Sequence, residues 1–191
     1  MSEPQGKSAR LLLVLIALVF FGPLIVAAWM YYGGHFAGLR DGSNHGALLE
    51  PIVNLGDELP QSVIHDHIAG QWLLVYADSG ECGEPCRRAL FTSRQSRTML
   101  GKEMERMSRV FLHGETPLDT VSLATEHPQL ITIEDASLAD FLDIKRPTEL
   151  PPGGYYLIDP LGNLVMYFRP DIVPSDMVDD IRHLLRLSRI G

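Results

Sequence analysis

The chain has 191 residues, is 46% hydrophobic and carries a formal net charge of −8, with a mean hydropathy of +0.05. That much apolar character beside that much charge excludes an evenly mixed globule, so the two are segregated along the chain. An acidic balance also disfavours nucleic acid as a partner.

The apolar excess lies in residues 11–32, which contain no Asp, Glu, Lys, Arg or His. At about 1.5 Å per residue such a helix reaches about 33 Å, enough for a hydrocarbon core of roughly 30 Å. Residues 1–10 hold Lys7 and Arg10, while beyond the apolar run the first Lys or Arg is Arg40. The positive-inside rule therefore places residues 1–10 in the cytoplasm and everything after the span outside it. Trp29, Tyr31 and Tyr32 suit the outer interface, and Gly22-Pro23 is expected to bend the helix without ending it. Val26-Ala27-Ala28 loosely matches a signal-peptide cleavage site, although signal apolar runs are usually only about 7 to 15 residues long. The chain beyond the span carries 14 basic and 23 acidic side chains, a net of −9, and is long enough for one ordinary core.

Residues 33–65 show no sustained period and read as a tether and an irregular lead-in to a domain over 66–191. Trp72-Leu73-Leu74-Val75-Tyr76 is a continuous run of strand formers, which suits a strand covered on both faces. It is followed by Cys82-Gly83-Glu84-Pro85-Cys86 and a helix-compatible stretch to about Met107; Pro85 fits a first helical turn. Residues 109–113 and 130–134 predict two further strands, with at most one helical turn between them, and 136–144 a short helix. Residues 155–159 and 164–168 flank Pro160-Leu161-Gly162-Asn163 as a β-hairpin. A final helix comes last, with Ser175 as its cap, Asp176, Asp179 and Asp180 at its positive end, and Val178, Ile181, Leu184 and Leu185 as its buried stripe. Strand, cysteine loop, helix, strand, hairpin, helix is the core order of an α/β thioredoxin-like sandwich, in which the first two core strands run parallel and chemistry gathers at their carboxyl ends.

Cys82 and Cys86 are the only cysteines. Their i, i+4 spacing near a helix start brings the Cα atoms to about 6 Å, within disulfide range. The loop they close is too short for the bridge to stabilise the fold much, which favours reactivity over stapling. Seven cations (Arg87, Arg88, Arg94, Arg97, Lys102, Arg106 and Arg109) face two anions between Cys86 and Arg109, and together with the helix start they favour thiolate. That basic stretch reads either as a solvated face or as a docking face for an acidic partner. There is no Walker A loop, GxGxxG, HExxH or nucleophile elbow, so neither nucleotide nor hydrolytic chemistry is expected.

Gly70-Gln71-Trp72-Leu73-Leu74-Val75-Tyr76, the CxxxC motif with its long helix, and Tyr156-Leu157-Ile158-Asp159-Pro160-Leu161-Gly162-Asn163-Leu164 resemble the Sco/SenC branch of the thioredoxin-like superfamily over roughly residues 66–190. Asn44-His45-Gly46-Ala47-Leu48-Leu49, Arg94-Gln95-Ser96-Arg97, Gly101-Lys102 and Asp159-Pro160-Leu161-Gly162-Asn163 look like the small single-span proteins of proteobacterial cytochrome c oxidase gene clusters. The resemblance implies a protein of the inner membrane with a periplasmic domain, assisting oxidase assembly by thiol-disulfide exchange or copper handling, its partner an oxidase subunit or another assembly factor. The alternative is a non-catalytic scaffold with a structural disulfide. Sco proteins hold Cu(I) with two cysteines and a histidine just before the hairpin. Cys82 and Cys86 match the first two, but Glu149-Leu150-Pro151-Pro152-Gly153-Gly154 has no histidine, and its prolines instead resemble the cis-proline position of thioredoxin-like redox proteins. His113, at the end of the second core strand, is the candidate third ligand for Cu(I), which two thiolates and one imidazole suit.

Overall fold

The computed structural model describes residues 5–32, 44–68, 70–78, 81–114, 119–188 and 190. The chain divides into two compact units, Met1–Asn44 and His45–Gly191. In the first, one helix, α1 (Gln5–Tyr32), contains the predicted span and continues through Pro23. Its segment Leu11–Met30 is long and apolar enough to cross a membrane, and none of it is buried. The residues of the expected tether over 33–43 lie outside the described ones.

The second unit begins with a strand where the sequence predicts an irregular lead-in. This strand, β1 (Ala47–Asn54), precedes two single helical turns, α2 (Leu55–Glu58) and α3 (His65–Ile68), and then the central strand β2 (Trp72–Asp78). Helix α4 (Glu84–Met99) stops well short of Met107, because Gly101 adopts a positive φ of 63°, the left-handed conformation in which helices commonly terminate. A 3-10 segment (Gly101–Arg106) leads into β3 (Met107–His113), α5 (Thr120–Glu126), β4 (Leu130–Glu134), α6 (Ala136–Lys145), β5 (Tyr155–Ile158), β6 (Asn163–Phe168) and α7 (Pro174–Leu187).

The sheet order is β1-β6-β5-β2-β3-β4. β2, β3 and β4 run parallel, as the crossover rule requires, while β5, β6 and β1 continue the sheet antiparallel. Successive side chains of β2 enter opposite layers. Trp72, Leu74 and Tyr76 pack with Ala89 and Leu90 of α4 and Ile181 and Leu185 of α7. Leu73 and Val75 pack with Leu55, Ile64, Leu138 and Leu142 on the other side. The hairpin turn is held by Asp159, whose Oδ1 accepts from the backbone N–H of Leu161 and of Asn163, each at 2.9 Å.

The last helix differs from its prediction in two places. Its cap residue is Val173, with Pro174 in the first turn, so Ser175 lies inside the helix, where its hydroxyl donates to Asp176 Oδ1 at 3.2 Å. Asp180, predicted on the charged end, is buried, and its Oδ2 accepts from the backbone N–H groups of His45 and Gly46, each at 2.8 Å.

Candidate functional site: a disulfide at the end of the central strand

The cysteines occupy the junction between β2 and α4. Gly83 caps the helix with an extended backbone and no side-chain bond, and Pro85 sits where its missing N–H has no helical acceptor. The N–H of Arg87 donates to the Gly83 carbonyl at 3.0 Å, closing the first turn. This local geometry brings Cys82 and Cys86 together as a disulfide with Cα atoms 5.0 Å apart. The two sulfurs are not equivalent, since Cys86 is 1% exposed within the core beneath α4 while Cys82 is only partly buried. Arg87 donates to the Cys82 carbonyl at 3.4 Å and pairs with Glu84 at 3.3 Å.

A cleft of about 1000 Å³ adjoins this junction, bounded by Tyr76 and Asp78, by Glu84 and Pro85, and by Gly153 and Gly154. Sequence reading misses it, because its walls come from five separate segments. Among the described residues its lining is acidic, with Asp78, Glu84, Asp140, Asp143 and Asp171 beside Arg88, although Asp143 and Asp171 pair with Arg146 at 3.1 Å and Arg169 at 3.0 Å. The Tyr76 hydroxyl donates to Asp78 Oδ2 at 3.2 Å. Burial first, and the carboxylate second, push this phenol far above its usual range and keep it protonated. The Tyr155 hydroxyl, raised to about 12 by burial, donates to the Ala89 carbonyl at 3.2 Å and ties the cysteine helix to β5. Gly154 is pressed against β6: its N–H donates to the Tyr167 hydroxyl at 3.0 Å, and a Cβ there would collide with the Phe168 carbonyl.

The basic stretch is not a single helical face. α4 carries four arginines against Glu84, a net of +3, whereas Lys102 and Arg106 lie in the 3-10 segment and Arg109 is buried in β3. Arg106 donates to the carbonyls of Leu185 and Ser188, each at 3.0 Å, and closes the end of α7.

His113 ends β3 in register with Asp78, at the strand edge where the sequence places it. Its Nδ1 donates to the Gly114 carbonyl at 2.8 Å and its ring lies 5.9 Å from that of Phe111. Among the described residues no group of three His, Cys, Asp or Glu side chains is placed to hold a metal. The segment Pro152-Gly153-Gly154, which shares the cleft with the start of α4, offers no imidazole. With both sulfurs bonded to each other, neither is a thiolate, and the pair offers Cu(I) no sulfur ligand in this redox state. The proline expectation is corrected too: among the described residues the one cis peptide is Glu50–Pro51, and the bonds before Pro151 and Pro152 are trans.

Residues 72–188 match the family described as transmembrane-like, thioredoxin-like, C-terminal domain, and residues 4–34 match the transmembrane-like N-terminal domain. Among solved structures, yeast Sco1 is similar with a TM-score of 0.52 at 15% identity, covering 64% of this chain and 88% of that one. Copper-bound yeast Sco1 gives 0.51 at 16%, covering 63% and 82%. Copper-bound ScoI of Arabidopsis thaliana gives 0.50 at 16%, covering 64% and 88%. At such identities the likeness is one of fold. No curated protein matches the chain in sequence.

Proposed function

The chain belongs to the transmembrane-like, thioredoxin-like family, and from that premise we propose that it is a single-pass membrane protein whose Cys82–Cys86 pair exchanges disulfides with protein clients during cytochrome c oxidase assembly. The observation that carries this reading is the unequal exposure of two bonded cysteines at the carboxyl end of the central strand. Exchange needs one sulfur that a client reaches and a second that resolves the mixed disulfide.

From the disulfide form, a client thiolate attacks Cys82 Sγ. The Cys82–Cys86 bond breaks and Cys86 leaves as a thiolate that takes up a proton. A second client thiolate then attacks the client sulfur of the mixed disulfide and releases Cys82 as a thiolate. The client pair is oxidised by two electrons and the protein pair is reduced by two. Starting from the dithiol, the same steps run in reverse and reduce a client. The positive end of α4 and the nearby Arg87 stabilise the Cys82 thiolate released in the last step, which is the attacking group when the reaction runs in reverse.

The oxidase connection rests on the Asn44–Leu49, Arg94–Arg97 and Asp159–Asn163 resemblances, and the periplasmic placement on Lys7 and Arg10. The test is trapping in cells. Cys86→Ser, which leaves the accessible sulfur and removes the resolving one, accumulates mixed disulfides on a non-reducing gel, and Cys82→Ser does not. Both variants lower oxidase assembly. Full oxidase assembly in both, with nothing trapped, overturns the proposal.

A further inference from the structure

A second cavity, of about 460 Å³, lies along α4 and the end of α5, lined by Arg88, Phe91 and Arg94, by the Glu84–Arg87 ion pair, and by Glu126 and His127. Behind it the buried Arg109 satisfies one nitrogen on the Pro128 carbonyl at 2.7 Å, while its Nε and Nη1 have no partner. His127, 6% exposed, lines the cavity with Nδ1 also unpartnered. Arg94 donates to the Glu126 carbonyl at 2.6 Å, and Arg97 donates to the Met107 carbonyl and to Gln129 Oε1, both at 2.8 Å. Among the described residues no carboxylate pairs with Arg94, Arg97 or Arg109.

The lining carries three arginines against two glutamates, and Arg88 and Arg94 have no carboxylate partner among the described residues. Burial first, then Arg97 and Arg94, lower the Arg109 guanidinium to about 10. Burial and then Arg109 push the His127 imidazole below its usual range. Buried polar groups without partners are rare in native proteins, and Arg109 adds unneutralised positive charge beneath the groove. The cavity also contains an apolar element, because Phe91 is 52% exposed between the arginines.

We infer that this groove is a docking surface for an acidic segment of a partner protein, whose carboxylates meet Arg88 and Arg94 and whose apolar side chain covers Phe91. An inorganic anion makes no use of an exposed phenyl ring. A nucleic acid or an anionic membrane presents an extended negative surface that also meets the rest of a domain of net charge −9, whereas a short acidic segment contacts the groove alone. The surface goes beyond the exchange chemistry and does not depend on it, since a scaffold with an inert disulfide would dock the same segment.

The test uses the full chain in non-ionic detergent with a fluorescent Glu-rich peptide carrying one leucine, a Lys-rich counterpart, and inorganic phosphate as competitor. The Glu-rich peptide binds and the Lys-rich one does not. Arg88→Glu and Arg94→Glu each weaken binding by about tenfold or more, and Phe91→Ala weakens it too. Arg88 is exposed and makes no hydrogen bond or ion pair among the described residues, so its reversal leaves the contacts that hold the fold in place. The Cys82→Ser/Cys86→Ser double variant binds as the wild type does, which separates this surface from the exchange reading. The proposal is overturned if the Glu-rich peptide fails to bind, if the Lys-rich peptide binds equally, or if both arginine reversals are without effect. Displacement by phosphate with no loss in Phe91→Ala overturns it in favour of a small-anion site.

Discussion

Gly154 and its neighbour Gly153 separate two reasons for having no side chain. Gly153 has a φ of 81° with open space around it, whereas a Cβ on Gly154 meets the Phe168 carbonyl and the Tyr167 ring. Strain at a left-handed residue costs about 1–2 kcal/mol, but a collision with sheet backbone leaves nothing flexible to yield. Gly154→Ala should therefore destabilise the protein by at least the roughly 1–3 kcal/mol typical of overpacking, and by more than Gly153→Ala, in denaturant titrations of the full chain. The cysteine pair is legible in the sequence because its geometry is local: four residues at a strand-to-helix junction suffice. The burial of Arg109 and His127 is not, because it depends on β3 lying between β2 and β4 and on the α5 connection folding back beside α4. Nor is the acidic cleft, whose Asp140, Asp143 and Asp171 stand far from Asp78 in the chain.

At the scale of elements, periodic runs with both neighbours in the sheet are readable. The central strand, the hairpin and the final helix lie close to where pattern places them, and α4 is shorter only because Gly101 closes it. β1 escapes detection because it is an edge strand with Pro51 inside it and an irregular register between Leu48 and Val53; its pairing with β6, rather than its own pattern, makes it a strand. Asp180 shows the same dependence on context. Predicted as a helix-end charge, it accepts the N–H groups of His45 and Gly46 and so fastens the entry to β1 onto α7. Asp180→Ala leaves two donors without that acceptor and should cost about 1–3 kcal/mol. Hydrogen exchange should then rise first at residues 45–48, with Asp180→Asn intermediate because it keeps one acceptor oxygen.

For the whole molecule, the segregation of apolar and charged residues corresponds to two units of opposite character, an apolar helix and an acidic domain. The orientation proposed for them rests on two charges, Lys7 and Arg10. Alkaline phosphatase fused after Gly191 should be active, as it is only outside the cytoplasm, and changing Lys7 and Arg10 to glutamate should reduce that activity severalfold; an inactive wild-type fusion would reverse the orientation. The domain itself combines a pair of bonded cysteines with two neighbouring surfaces of opposite charge, an acidic cleft on one side of the α4 start and a basic groove along the helix. If the pair is the reactive element of this arrangement, its redox equilibrium must lie within reach of client thiols. The direct measurement is the reduction potential of Cys82–Cys86 by equilibration with glutathione. Exchange predicts a value above about −300 mV, in the range of labile pairs, whereas a value well below about −300 mV would mark a structural disulfide and contradict it.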